Sequence, residues 1–184
     1  MYHSGHKLIN PYLLFEKARL AANMQIADFG CGDTGHLVFP AAKIVGEDGL
    51  VYALDILKAV LETIGKRARQ NNFTQVHPVW SDMERVGGAA IPQNSLDIVF
   101  FVNSLFHCEN KINPLLEAKR LLKNKARLLV VDWKKNHGLP IGAQGDQTIN
   151  FDSIINWGKK NNFALQEKFP AGKYHSGIVL YRHD

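Results

Sequence analysis

The chain has 184 residues, 46% of them hydrophobic, which is enough for one domain with a real core and too little for a nucleotide domain plus a substrate domain of equal size. Its longest apolar run, Ile98 to Val102, is far short of the roughly 20 residues needed to cross a bilayer, so stable membrane insertion is not expected. The formal charge of +5 is spread over Lys58–Arg69, Lys119–Arg127 and Lys159–Lys173 rather than gathered in one run, a pattern of solvated helix faces that leaves a nucleic-acid surface open.

Asn10-Pro11 reads as a cap and first turn of a helix running to about Ala22. Gln25 to Phe29 is a short apolar strand, followed by a glycine turn and a helix from about Gly35 to Val45. Gly46 and Glu47-Asp48-Gly49 turn the chain into a second strand, Leu50 to Asp55. Leu57 to Asn71 is amphipathic, with Val60, Leu61, Ile64 and Ala68 on one face. Val76 to Trp80 is the third strand and Ile98 to Val102 the fourth, apolar throughout as a strand covered on both faces must be.

A helix over Leu115 to Leu122 leads to a fifth strand, Arg127 to Asp132. Lys134 to Asn150, with three glycines and a proline, reads as a mobile loop. A helix from Asn150-Phe151 to about Asn161 and two strands, about Ala164 to Phe169 and Gly177 to Arg182, close the chain as an antiparallel, hairpin-like ending. The alternation predicts an α/β fold: one open, mostly parallel sheet with an antiparallel C-terminal strand and helices on both faces. The expected organisation is a single domain over 1–184, an N-terminal helical segment (1–23) leading into the sheet core (24–184).

The sharpest motif is Ala27-Asp28-Phe29-Gly30-Cys31-Gly32-Asp33-Thr34-Gly35 with Val51-Tyr52-Ala53-Leu54-Asp55 after it. Strand, glycine turn, helix and a second strand ending on a carboxylate make half of a nucleotide-binding βαβ unit. A side chain at the turn glycines would hold the backbone away from a ligand. A carboxylate at Asp55 can accept both hydroxyls of a ribose, so a ligand built on adenosine is expected.

Gly30, Gly32 and Gly35 fit the G-x-G-x-x-G of nicotinamide enzymes. The acid two residues before the first glycine, Asp28, and the second acid 27 residues downstream instead resemble class I S-adenosylmethionine (SAM) methyltransferases. The likeness continues through Trp80-Ser81-Asp82-Met83, through Asn94 to Asn103, through the helix and strand of Leu115 to Asp132, and through Tyr174 to Arg182. It covers about residues 24 to 182 and is nearest the ubiquinone/menaquinone-biosynthesis-like branch. Two departures stand out: the glycine turn is one residue longer than that branch's D-x-G-C-G-x-G, and Leu122-Lys123-Asn124-Lys125-Ala126 lacks the usual glycine-proline character.

The resemblance implies a Rossmann-like domain that binds SAM and releases S-adenosylhomocysteine (SAH). It implies that Asp28 receives the methionine ammonium, or else bonds the turn's own amides. Gly30, Cys31, Gly32 and Gly35 would cradle the methionine part, with free N–H groups of the following helix for its carboxylate. Asp33 and Thr34 either cap that helix or touch the ligand. Asp55 would hold the ribose, Ile56 would pack on the adenine, and Ser81-Asp82-Met83 would read the adenine edge unless it is only a helix cap. Asn103 would offer its backbone carbonyl to the ammonium.

Where the acceptor must lose a proton, His107 is the leading base, with Asp132 as the alternative; His107 also reads as a surface or helix-start histidine. Trp133, Tyr174 and His175 are further candidates for the acceptor side, and Cys108 has no basic partner to activate it. A small-molecule acceptor is favoured and an RNA or protein acceptor stays open. Asn103-Ser104-Leu105-Phe106 lacks the Asn/Asp-Pro-Pro-Tyr/Phe of exocyclic-amine and glutamine methyltransferases.

Against a nicotinamide oxidoreductase, no tyrosine is followed four residues later by lysine: Tyr12, Tyr52 and Tyr174 precede Glu16, Ile56 and Ile178. A third reading is a SAM-binding regulatory module without transfer activity. Two cysteines form neither a disulfide framework nor a metal site, and Met1 to Lys7 lacks the order of an export signal, so a cytoplasmic location is expected.

Overall fold

The structure, a computed structural model, describes residues 8–184; Met1 to Lys7, and with them the export-signal reading, lie outside the described residues. In chain order the elements are α1 (Pro11–Ala18), β1 (Gln25–Phe29), α2 (Val38–Val45), β2 (Leu50–Asp55), α3 (Lys58–Gln70), β3 (Val76–Trp80), β4 (Leu96–Val102), α4 (Ile112–Leu121), β5 (Leu122–Trp133), α5 (Phe151–Lys160), β6 (Phe163–Pro170) and β7 (His175–Arg182). The seven strands form one sheet in the order β3-β2-β1-β4-β5-β7-β6. β1 pairs parallel with both β2 and β4, and only β7 runs against the rest, inserted between β5 and β6.

Residue alternation explains the layering. In β4, Ile98, Phe100 and Val102 join the core under α1, α2 and α3, while Val99 and Phe101 join the core under α4 and α5. Side chains of successive strand residues point to opposite faces, so a strand covered on both is apolar at every position. The sheet's two edges are blunted: β3 carries Pro78, and β6 has a register shift between Leu165 and Glu167.

Several boundaries differ from the sequence expectation. α1 stops at Ala18, four residues early, because Arg19 turns left-handed (φ 55°) and its N–H closes on Glu16 and Phe15 carbonyls. The helix after the glycine turn starts at Val38, since Gly32 and Gly35 take left-handed angles (φ 63° and 55°) that a helix excludes. β5 begins at Leu122, five residues early: Leu96 pairs with Leu122 and Ile98 with Arg127, and the intervening Lys123–Ala126 bulges out around Lys125 (φ 62°).

The 134–150 segment is not a slack loop. His137 Nε2 lies 2.8 Å from the Ala143 carbonyl, the Gln144 amide donates to the Leu139 and Ile141 carbonyls, and Ala143 and Ile149 are buried. Among the described residues no helix is long and apolar enough to cross a membrane, and no group of three or more His, Cys, Asp or Glu side chains is placed to hold a metal ion.

Candidate active site

The strand order reverses between β1 and β4, and ligands in open α/β sheets bind beyond the carboxyl ends of strands at such a switch point. The glycine turn after β1 and the Asn103–Cys108 segment after β4 meet there. A Cβ on Gly30 would sit 2.7 Å from Ser104 Cβ and 3.6 Å from Met83 Cε, so the turns after β1, β3 and β4 touch at one point. Gly30 (φ 78°) is therefore required by backbone angle and by its protein neighbour, rather than by ligand approach alone. Gly35 is similar: its Cβ would lie 2.6 Å from the Phe39 ring and 2.8 Å from Ile64.

Around this junction lie polar atoms cut off from water with no hydrogen-bond partner among the described residues: Asp28 Oδ2, Ser81 Oγ, both amide atoms of Asn103, and Ser104 Oγ. An unmet buried polar group costs about 1–3 kcal/mol, so four such residues at one sheet end mark a place built for a ligand. Asp28 is 3% exposed, and its carboxyl is raised to about 7, first by burial and then by the nearby Asp55 carboxylate.

Asp55 is half-buried at the end of β2. Its Oδ2 accepts the Gly32 N–H (3.2 Å) and its Oδ1 the Leu57 N–H (3.0 Å), which draws the carboxylate across the mouth of the glycine turn. The Gly32 N–H is thus already paired within the protein. Ile56 is 54% exposed at the same rim, and the Trp80 indole donates to its carbonyl (2.9 Å).

Ser81, Asp82 and Met83 follow β3. Asp82 Oδ1 accepts the Glu84 N–H (3.0 Å) and no helix lies between this segment and β4, so the helix-cap reading of this segment fails. Asp33 and Thr34 do not cap α2 either: its N-cap is Leu37, and their carbonyls accept Arg67. Cys31 and Cys108 are buried free thiols; burial pushes both up, Cys108 to about 12. Neither is a nucleophile at neutral pH.

On the acceptor side, Leu105–His107 forms a short 3-10 turn. His107 is exposed, lies tilted against the Phe106 ring (centroids 3.8 Å apart), and is held below the ordinary histidine range by desolvation. Asp132 is fully buried at the end of β5, where its two oxygens accept the Trp133 N–H (2.9 Å) and the Phe106 N–H (3.3 Å). Burial raises it to about 7 against those two bonds. Trp133 is a core residue clasped between the His137 and His175 rings, with centroids at 4.6 and 4.1 Å, and His175 is itself buried. Tyr174 lies half-buried under Lys173.

Ser104 and Glu84 were missed by sequence reasoning. A lone serine after a strand and one glutamate in a turn carry no periodic or spacing signal. Two shallow grooves of about 340 Å³ lie elsewhere, along α3 and β3 and beside Phe151 and Phe169, and hold none of these groups.

A family model described as a methyltransferase domain matches residues 20–169. The chain belongs to that family. Among curated relatives, it is 28% identical over 162 residues to the 2-phytyl-1,4-naphtoquinone methyltransferase of Trichormus variabilis, covering 83% of this chain and 69% of that protein. It is 28% identical over 104 residues to the aklanonic acid methyltransferase DauC of a Streptomyces species, covering 56% of this chain and 46% of that one. To the ubiquinone/menaquinone biosynthesis C-methyltransferase UbiE of Shewanella pealeana the identity is 29%, over 65% of this chain and 47% of the relative.

The chain thus spans about half the length of two of these three relatives. The fold superposes on a SAM-dependent methyltransferase from Aquifex aeolicus with TM-score 0.84 at 22% identity, over 98% of this chain and 93% of that one. It superposes on the geranyl diphosphate C-methyltransferase of Streptomyces coelicolor, solved with SAH, with TM-score 0.72 at 12% identity, over 94% and 74%. The donor set of this methyltransferase domain fits SAM: buried acceptors for an ammonium, a rim carboxylate for a diol and an exposed apolar edge for a purine.

Proposed function

We propose that this chain is a SAM-dependent methyltransferase acting on a small-molecule acceptor. The observation that carries the proposal is the cluster of unpartnered buried polar atoms at the β1–β4 switch point, beside the left-handed glycine turn and the Asp55 carboxylate.

In this reading Asp28 and the Asn103 backbone carbonyl take the methionine ammonium, and Gly30, Cys31, Gly32 and Gly35 wrap the amino-acid end. Asp55 accepts the ribose hydroxyls, exchanging one of its backbone donors for them. Ile56 packs on the adenine, Asp82 accepts its amino hydrogens, the Met83 amide donates to a ring nitrogen, and Ser81 lends its hydroxyl at the strand end. SAM supplies a methyl group already activated by the sulfonium. The protein therefore has to orient the acceptor and exclude water.

Where the acceptor gives up a proton, His107 is the better placed base: it is exposed on the acceptor-side turn, and its lowered pKa keeps the imidazole neutral near pH 7. Asp132 has both oxygens occupied by backbone N–H groups and braces that turn. The relatives' names support a small-molecule acceptor, since they specify a naphthoquinone and aklanonic acid. We further assign the chain to the cytoplasm, because its two cysteines are buried free thiols, and read it as one domain built on the single seven-stranded sheet.

Calorimetric titration with SAM, SAH and NAD tests the cofactor: binding of SAM and SAH at micromolar affinity without NAD binding is expected, and NAD binding without SAM binding overturns the reading. Once a labelled-methyl screen identifies the acceptor, His107→Gln should lower turnover by about 10²–10⁴-fold with SAM affinity unchanged. Wild-type turnover would leave His107 a surface residue.

A further inference from the structure

The turn after β3 and the segment after β4 belong to opposite halves of the proposed site, adenine and acceptor, yet one side chain joins them. Glu84 is half-buried and sits one residue beyond Met83. Its own N–H donates to Asp82 Oδ1 at 3.0 Å. Its carboxylate reaches across to the other segment, where Oε1 accepts the Glu109 N–H (3.1 Å) and Oε2 accepts the Asn110 N–H (2.7 Å). Its carbonyl accepts Asn113 Nδ2 (2.9 Å) in the first turn of α4. Asn110 in turn caps that helix, its Oδ1 accepting the Ile112 N–H (2.9 Å) and the Asn113 N–H (3.3 Å).

Three hydrogen bonds of Glu84 thus join the turn beside Asp82 to residues 109–113 at the start of α4, and His107 lies two residues before the first amide it holds. Hydrogen bonds to an ionised acceptor are about twice as strong as neutral ones, so this clasp outweighs an ordinary turn contact.

We propose that Glu84 is a positioning residue that couples the adenine-side turn to the acceptor-side segment, so that cofactor docking on Asp82 and Met83 orders residues 105–113 for the acceptor. The inference rests on the cofactor reading given above. Ordering of one site by ligand at another requires a physical connection, and this contiguous chain of hydrogen bonds supplies one. A simple staple would hold the segment equally with and without cofactor; a coupling residue makes its order depend on cofactor.

Amide hydrogen exchange on the full chain, with and without saturating SAH, separates these cases. In the wild type, SAH should slow exchange in the glycine turn and at 55–57, and also by about tenfold or more at 105–113. In Glu84→Ala the slowing at the glycine turn should persist and that at 105–113 should be lost.

Glu84→Gln keeps the shape and turns one acceptor into a donor facing a backbone N–H. It should behave the same way, and it provides the measurement if the alanine variant does not fold. Undiminished slowing at 105–113 in a folded variant overturns the inference. So does a wild-type segment that ignores SAH while the glycine turn responds. Absence of any response at the glycine turn overturns the cofactor reading itself, and this inference with it.

Discussion

Asp28 and Asp55 lie near the carboxyl ends of adjacent strands, close enough for the Asp55 charge to act on Asp28, and face opposite problems. Asp28 is buried with an oxygen that meets no donor, and its carboxyl is raised from 3.8 to about 7. The folded protein keeps a proton there that the unfolded chain releases from about pH 4 upward, so the ligand-free protein loses stability between pH 4 and 7 and levels off above. Asp132, also raised to about 7, adds a slope of the same sign. Asp28→Asn should remove its share, raising the Tm of the free protein at about pH 8, where wild-type Asp28 is ionised and exposed to its full burial penalty. An ammonium favours the ionised carboxylate, so SAM affinity should rise with pH up to about 7 and Asp28→Asn should flatten that rise; a wild-type affinity flat in pH would remove Asp28 from contact with the ammonium. Asp55→Ala should weaken SAM by about 2 kcal/mol or more through two lost charge-assisted bonds. It also frees the Gly32 and Leu57 N–H groups, so circular dichroism should show the fold kept with a lowered Tm, and unchanged affinity would take Asp55 out of the site. Asp55 stood out from its place at the end of the second strand, and Asp28 from the resemblance of the acid-led glycine turn to that of SAM methyltransferases. Ser104 did not, because its meaning comes from lying against Gly30, a residue 74 positions earlier.

The elements were read well wherever the sheet dictates the pattern: β1, β2 and β3 fall where the apolar runs stop. They were misread where one backbone angle decides, as at Arg19 and Lys125, since left-handed residues other than glycine carry little sequence signature. The 84–92 turn shows how a segment without periodicity is fixed from outside. Glu117 of α4 is fully buried, and its carboxylate accepts the Gly87 N–H (2.6 Å), the Ala89 N–H (3.1 Å) and two bonds from Arg120. Burial pushes this acid up, but the Arg120 hydrogen bonds and the two amides outweigh it and hold it below the ordinary glutamate range. Its contribution to stability is therefore present at neutral pH and is lost as the pH falls through that lowered value. Glu117→Ala should cost about 3 kcal/mol in urea unfolding, because it strands two amides and a partly buried guanidinium. A loss below about 0.5 kcal/mol would show that the turn holds without it. The 134–150 segment teaches the same lesson: its glycines suggested slack, yet a Cβ on Gly142 would lie 2.1 Å from the Trp133 ring, so that glycine serves close packing.

At the scale of the whole molecule, a ligand that binds only the folded chain stabilises all of it. SAH at a hundred times its Kd should add about 2.7 kcal/mol, a rise of about 5–10 °C in Tm for a chain of this size, and NAD should add nothing. A Tm unmoved by SAH and raised by NAD would reverse the cofactor assignment. By itself the sequence determined the fold class, the mostly parallel sheet and the acid-led glycine turn, because apolar period, helix stops and spacing are local properties that any fold must obey. Only the tertiary structure decided that β7 slots between β5 and β6, that Gly30 rests on Ser104, and that Glu84 joins the two sides of the site. Those are contacts between distant residues, selected by how two apolar faces close over one sheet and by which buried polar groups find partners, and neither can be summed from neighbours along the chain.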